Sequence, residues 1–199
     1  MKTYRSARDL LKQIDQLLAA RPAFQKNSSP LDQVVEILYG GRQYFWIGIY
    51  LVAGEAVVRE SFRGPVPPCH TVALGVGNVG TAGESGLMKV IPDVSADPTY
   101  SMCFAETKSE IVVPIRIGQH VLGVIDVESD RINAFGGQDR VLLKQVAERL
   151  ARFLQNQGKY LLRKAREAGQ TRSVPPPVHG HQPASEKTSS RAFAAGELP

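Results

Sequence analysis

The chain predicts an α+β domain: a sheet backed on one face by helices from its two ends, with a long irregular connection left to cover the other face. Three observations carry this expectation. Apolar residues recur at helical spacing near both ends of the core region. Between them the pattern changes to the period of strands, in two pairs of β-rich runs, each pair joined at a glycine. The stretch between those pairs, residues 75–108, is long and loop-rich, and long connections in compact domains usually carry function.

The first helix is expected over Ser6–Ala20, where Leu10, Leu11, Ile14, Leu17 and Leu18 share helical spacing and Pro22 ends the run. It forms an N-terminal element within 1–29. Ser29-Pro30 reads as an N-cap followed by a proline at the first helical position. The helix it opens carries Leu31, Val34, Val35, Ile37 and Leu38 and stops at Gly40-Gly41. Tyr44–Val52 and Ala56–Phe62 are β-branched and aromatic, with Gly54 at the turn between them. Cys69–Leu74 is a short third strand. Gly75-Val76-Gly77-Asn78-Val79-Gly80-Thr81 leads into a short helix ending near Gly86 and reads as a tight connection flooring a pocket. It lacks the spacing and the lysine of a phosphate-binding loop. Met88–Ile91 is strand-like, Pro92–Thr107 irregular, and Glu110–Ile117 with His120–Ser129 forms a hairpin around Gly118. A last helix is expected from about Gly136 to Arg166, carrying Val141, Leu142, Val146, Leu150, Phe153 and Leu154. The domain proper is expected over 30–155, and 156–168 extend the last helix. Residues 169–199, with Pro175-Pro176-Pro177 and few large apolar side chains, read as a disordered tail.

A composition of 43% hydrophobic and 22% charged residues is that of an ordinary globular protein. No stretch approaches the ~18 apolar residues of a membrane span, and Met1-Lys2-Thr3-Tyr4-Arg5 opens no signal-peptide core. A cytoplasmic protein without a membrane partner is expected. The net charge of +5 comes from 24 basic residues interleaved with 19 acidic ones. The one local run, Lys159, Arg163, Lys164 and Arg166, reads as a solvated helix end, so no nucleic-acid partner is expected.

Two constellations bear on chemistry. In a reducing compartment no structural disulfide is expected between the two cysteines, Cys69 and Cys103, which are either buried small hydrophobes or redox-active. In Val124-Ile125-Asp126-Val127-Glu128 the two acids are two residues apart, so on a strand they share a face with each other and with Leu122 and Val124. Glu110 opens the partner strand. These acids either line a dry pocket, where at least one pKa would rise, or face solvent near the strand end. Trp46 and Tyr50, four apart, share a face as pocket wall or as core aromatics. His70, His120, His179 and His181 lack metal-ligand spacing, so neither a metal nor a cofactor is expected.

Three segments in order, Val90-Ile91-Pro92-Asp93-Val94-Ser95-Ala96-Asp97-Pro98, Ser109-Glu110-Ile111-Val112-Val113-Pro114-Ile115 and Leu122-Gly123-Val124-Ile125-Asp126-Val127-Glu128-Ser129, resemble a GAF domain over roughly residues 30–155. The resemblance implies a central antiparallel sheet with N- and C-terminal helices on one face and a loop-covered small-molecule pocket on the other. Within that superfamily the chain is similar to the free methionine-(R)-sulfoxide reductases. Trp46-Ile47-Gly48-Ile49-Tyr50 looks like their aromatic strand, Cys69 matches the resolving cysteine and Cys103 the nucleophile. Glu110, Asp126 and Glu128 match three acidic pocket positions, the last usually Asp. Departures are Val79 where the family has a further cysteine, Phe104 where Asp follows the nucleophile, and Ser95 in place of a histidine. The resemblance implies a thiol-dependent reductase of free methionine sulfoxide, re-reduced by a thioredoxin-like partner. The alternative is a non-catalytic GAF sensor, in which Val146, Leu150, Phe153 and Leu161 of the last helix pair with a second subunit in a homodimer.

Overall fold

The computed structural model describes residues 4–20 and 29–157. The expected extension of the last helix to Arg166 and the expected tail, 169–199, lie outside the described residues.

Ser6 caps α1 (Ala7–Ala19), its hydroxyl accepting the Asp9 amide at 3.1 Å. Helix α2 (Pro30–Gly41) opens with a reciprocal capping box. Ser29 Oγ accepts the Asp32 amide at 3.1 Å, and the Asp32 carboxylate accepts the Ser29 amide at 2.9 Å. There follow β1 (Trp46–Ala53), β2 (Ala56–Arg63), β3 (Thr71–Ala73), α3 (Gly77–Ser85), β4 (Lys89–Ile91), a 3-10 turn (Val94–Ala96), β5 (Ser109–Ile117), β6 (His120–Ser129) and α4 (Gly137–Gln157). The strands form one six-stranded antiparallel sheet in the order β3-β2-β1-β6-β5-β4.

Strand alternation divides the core in two. Ile47, Ile49 and Leu51 of β1 and Ile125 and Val127 of β6 join the cluster built with α1, α2 and α4. Trp46, Tyr50, Val112 and Val124 project to the opposite face, where they meet Val79 and Ala82 of α3 and Phe104 of the long connection. Helices from both ends of the chain thus cover one face, and α3 with the 92–108 segment covers the other. Helix α3 lies so close to the end of β3 that a Cβ on Gly80 would stand 2.1 Å from the Ala73 carbonyl oxygen.

Three expectations need correction. The third strand is three residues long, and Cys69 precedes it in a loop. That loop is held by the Arg59 guanidinium, which donates to the carbonyls of Cys69 at 2.5 Å and Pro67 at 3.4 Å. Leu122 does not share the face of Val124: it packs into the helix-side cluster, beside a register shift between Ile115 and Arg116 in the β5–β6 pairing. Val146, Leu150 and Phe153 of α4 are buried against the chain's own sheet, which takes them out of any subunit interface; Leu161 lies outside the described residues.

Candidate active site

The face of the sheet opposite the terminal helices gathers the acidic residues by register alone. Glu110 of β5 lies across from Glu128 of β6, and Val112 from Asp126. On the other side of β6, Trp46 lies across from Glu128 and Gly48 from Asp126. All three carboxyls are buried, each exposing 3% or less. They join with Tyr50, Cys69 and Cys103 around a small cavity of about 30 Å³, floored by the first residues of α3.

Burial sets the protonation of the acids. Loss of hydration raises Glu110 to about 7, against hydrogen bonds from Asn78 and Asp126 that pull the other way. It raises Glu128 to about 8, with the Glu110 charge adding to the effect and a Thr107 hydrogen bond opposing it. Asp126 is raised well above the usual carboxylate range by burial, then by the charges of Glu110 and Glu128. Glu110 and Asp126 share a hydrogen bond, which requires a proton between them. Near neutral pH the cluster therefore holds protons that carboxylates ordinarily lose.

Around the acids stands a support that the sequence did not announce. Asn78 Nδ2 donates to Glu110 at 2.8 Å and to Asp97 at 3.0 Å, tying α3 to β5 and to the connection that carries Cys103. Thr107 Oγ1 donates to Glu128. Asn78 Oδ1 and one oxygen of Asp126 are buried without a partner, a costly state that a ligand bearing donors would relieve. Asn78 was hidden in a glycine-rich segment that reads as a tight turn. The one available signal was a polar amide between apolar residues at a helix start.

Cys69 and Cys103 are both free and half-buried, and they share a hydrogen bond. That bond, with help from Arg59, lowers Cys69 to about 7 against the effect of its burial. Cys103 is pushed up, first by the same bond, then by burial and by the charges of Cys69, Glu128 and Asp126. In the ligand-free pair the surroundings thus favour the proton on Cys103 and negative charge on Cys69. Trp46 does not line the cavity. Its indole lies over Gly48, where a Cβ would stand 2.2 Å from the ring, and it packs on Phe62 at 6.2 Å and Phe104 at 5.9 Å. Phe104 thereby adds an apolar wall behind Tyr50, whose ring centroid is 6.3 Å from that of Trp46.

Comparison with known proteins identifies the fold and its relatives. The chain is 34% identical over 143 residues to GAF domain-containing protein A of Dictyostelium discoideum, covering 71% of this chain and 88% of that one. It is 30% identical over 109 residues to the free methionine-R-sulfoxide reductase of Escherichia coli, covering 55% of this chain and 66% of the relative. The X-ray structure of free methionine-R-sulfoxide reductase from Neisseria meningitidis in complex with its substrate superimposes with a TM-score of 0.67 at 27% identity, covering 78% of this chain and 96% of that one. The GAF domain model matches residues 29–154, nearly the whole of the described core, and the chain belongs to the GAF domain family.

Proposed function

We propose that this domain reduces free L-methionine-(R)-sulfoxide, with Cys103 as nucleophile, Cys69 as resolving thiol and a thioredoxin-like dithiol as external reductant. The observation that carries the reading is the contact of two free thiols beside three buried carboxyls, a cluster that keeps a proton near neutrality and still carries negative charge toward Cys103. A sulfoxide reductase needs those parts: a sulfur nucleophile, a proton for the departing oxygen and a second thiol. Relatives named for this activity, in Escherichia coli and Saccharomyces cerevisiae, support it.

The chemistry follows from the charges. A ligand ammonium entering the acid cluster offsets the negative charge that faces Cys103 and so lowers its pKa. The Cys69 thiolate, already hydrogen-bonded to Cys103, takes its proton. The Cys103 sulfur attacks the sulfoxide sulfur while a buried carboxylic acid protonates the oxygen. Oxygen passes to Cys103 as a sulfenic acid, and methionine leaves as the thioether. The Cys69 sulfur then displaces the sulfenic hydroxyl, which departs with a proton as water, and a disulfide forms. Two thiols and one sulfoxide give one disulfide, one thioether and one water. With only two cysteines in the chain there is no third thiol to relay the disulfide, so the external dithiol attacks the Cys69–Cys103 bond directly. A cavity of about 30 Å³ is far below the volume of a small-ligand site, so the segment carrying Cys103 must move outward to admit substrate. The test is incubation of the pure protein with each epimer of free methionine sulfoxide and dithiothreitol. Methionine should appear from the R epimer, and its absence from both epimers refutes the reading.

A further inference from the structure

The cavity as it stands is too small for an amino acid and suited in size to something smaller. Its volume of about 30 Å³ holds on the order of two water-sized molecules. Asn78 and Asp126 line it, each 2% exposed, and each keeps one side-chain oxygen buried without a partner. Cys69 and Cys103 line the same space, hydrogen-bonded to each other. Cys69 is anchored from behind. Its carbonyl accepts from the Arg59 guanidinium at 2.5 Å, and the guanidinium lies over Phe62, 4.7 Å from the ring centroid. A guest that fits these walls has two polar heavy atoms and a donor for each free acceptor. Hydrogen peroxide has both, with two oxygens and two O–H groups, and beside two thiols it is also an oxidant.

We propose that the cavity without an amino acid is a second reactive centre, a thiol peroxidase in which Cys69 attacks hydrogen peroxide and Cys103 resolves the product. The roles of the two cysteines are the reverse of those in sulfoxide reduction, and the cause is charge. There, a ligand ammonium offsets the acids and frees Cys103 to react. Peroxide is uncharged and leaves the acids as they are. Cys103 then keeps its proton, held by the bond to Cys69, by burial and by the charges of Glu128 and Asp126. The same bond, with Arg59, favours negative charge on Cys69.

The Cys69 sulfur attacks one peroxide oxygen and the O–O bond breaks. The departing oxygen takes a proton from Asp126, whose burial holds its pKa well above the usual carboxylate range, and leaves as water. Cys69, oxidised by two electrons, becomes a sulfenic acid. The Asp126 carboxylate then takes the Cys103 proton while the Cys103 sulfur displaces the sulfenic hydroxyl, which leaves with that proton as a second water. Counting the first Asp126 proton with Cys69, two thiols and one peroxide give one disulfide and two waters. An external dithiol reopens the disulfide.

The experiment mixes the reduced full chain with hydrogen peroxide at neutral pH, without dithiol, and follows thiol loss and mass. Wild type should consume about one peroxide per chain and lose two hydrogens. It should react roughly tenfold or more faster than free cysteine, within the ~10²–10⁴-fold that a positioned acid contributes. Cys103→Ser should keep most of that rate and stop at a sulfenic acid on Cys69, trapped with dimedone. Cys69→Ser should react about tenfold or more slowly, since the remaining thiol holds its proton. The cavity is tested on the wild type itself, with no substitution to disturb the fold. Cumene hydroperoxide, too bulky to enter, should lose the advantage over free cysteine that hydrogen peroxide has. A wild-type rate no greater than that of free cysteine overturns the proposal. So does a Cys69→Ser variant as fast as wild type, or an equal advantage for both hydroperoxides. Methionine release from the sulfoxide is scored separately, so each activity stands or falls alone.

Discussion

Cys69 and Cys103 show how a residue's neighbours, more than its type, assign its chemistry. Their place in the chain and the family resemblance made Cys103 the attacking thiol, yet in the ligand-free protein the charges favour the thiolate on Cys69. The two views agree once a cationic ligand is bound, because the carboxylates that hold Cys103 protonated are those the ligand neutralises. The hydrogen bond from Cys103 is the main cause of the lowered Cys69 pKa, and Arg59, whose guanidinium donates to the Cys69 carbonyl, adds to it. In Arg59→Met, the pH midpoint for alkylation of Cys69, followed by peptide mass spectrometry, should move up from near 7 toward that of an ordinary thiol; an unmoved midpoint would leave Arg59 a loop clamp only. Asp126→Asn should weaken methionine sulfoxide binding by about 1.5–3 kcal/mol, the scale of a charge-assisted hydrogen bond, while the ligand-free protein melts no lower. Unchanged binding would show that the acid has no part in recognition. The acids were legible because a strand period of two puts Asp126 and Glu128 on one face. Asn78, Thr107 and Arg59 were not, because each acts through a partner that only the folded chain brings near.

At the scale of elements, local signals were legible wherever the chain uses local chemistry. The Ser29-Pro30 N-cap, the glycine turns and the change from helical to strand period mark their elements directly. Two failures share a physical cause. The residues before the shortened third strand form a loop whose carbonyls Arg59 holds, and the position of Leu122 goes with a register shift in the β5–β6 pairing; neither is a property of the segment itself. The apolar stripe of α4 was legible as a stripe but not as to what it covers, and it covers the chain's own sheet. Helix α3 gives the prediction at this scale. Gly80→Ala would force a methyl into the Ala73 carbonyl, so α3 must lift from β3. The variant should lose stability on the order of 1–3 kcal/mol, as overpacking does, and should lose ligand binding because the cavity floor moves with the helix. Full stability and binding together would show that α3 does not need this close approach.

For the whole molecule, the sheet is a divider. One face with α1, α2 and α4 makes the main core, and the other carries acids whose burial costs stability unless something binds them. Glu110, Glu128 and Asp126 all have folded pKa values raised above those of the unfolded chain. The folded state therefore holds more protons, and their contribution to stability is complete below about pH 4.5 and lost as pH rises through about 7 to 8. Cys69, lowered to about 7 from 9.0, acts in the opposite sense above neutrality, which makes pH 5 to 7 the clean window. Ligand-free protein should lose on the order of 1 kcal/mol across it, read as a melting temperature lower by a few degrees. Saturating methionine sulfoxide should flatten that slope, and a slope equal with and without ligand would separate the acids from binding. The central claim is tested most directly by a single turnover of the reduced protein with free methionine-(R)-sulfoxide, without external reductant, followed by mass spectrometry. The wild type should release about one methionine per chain and lose two hydrogens as Cys69 and Cys103 join. Cys69→Ser should release methionine and stop at a trappable sulfenic acid on Cys103, and Cys103→Ser should release none. Binding of the sulfoxide by the wild type with no methionine released would contradict the account and leave a sensor in place of an enzyme.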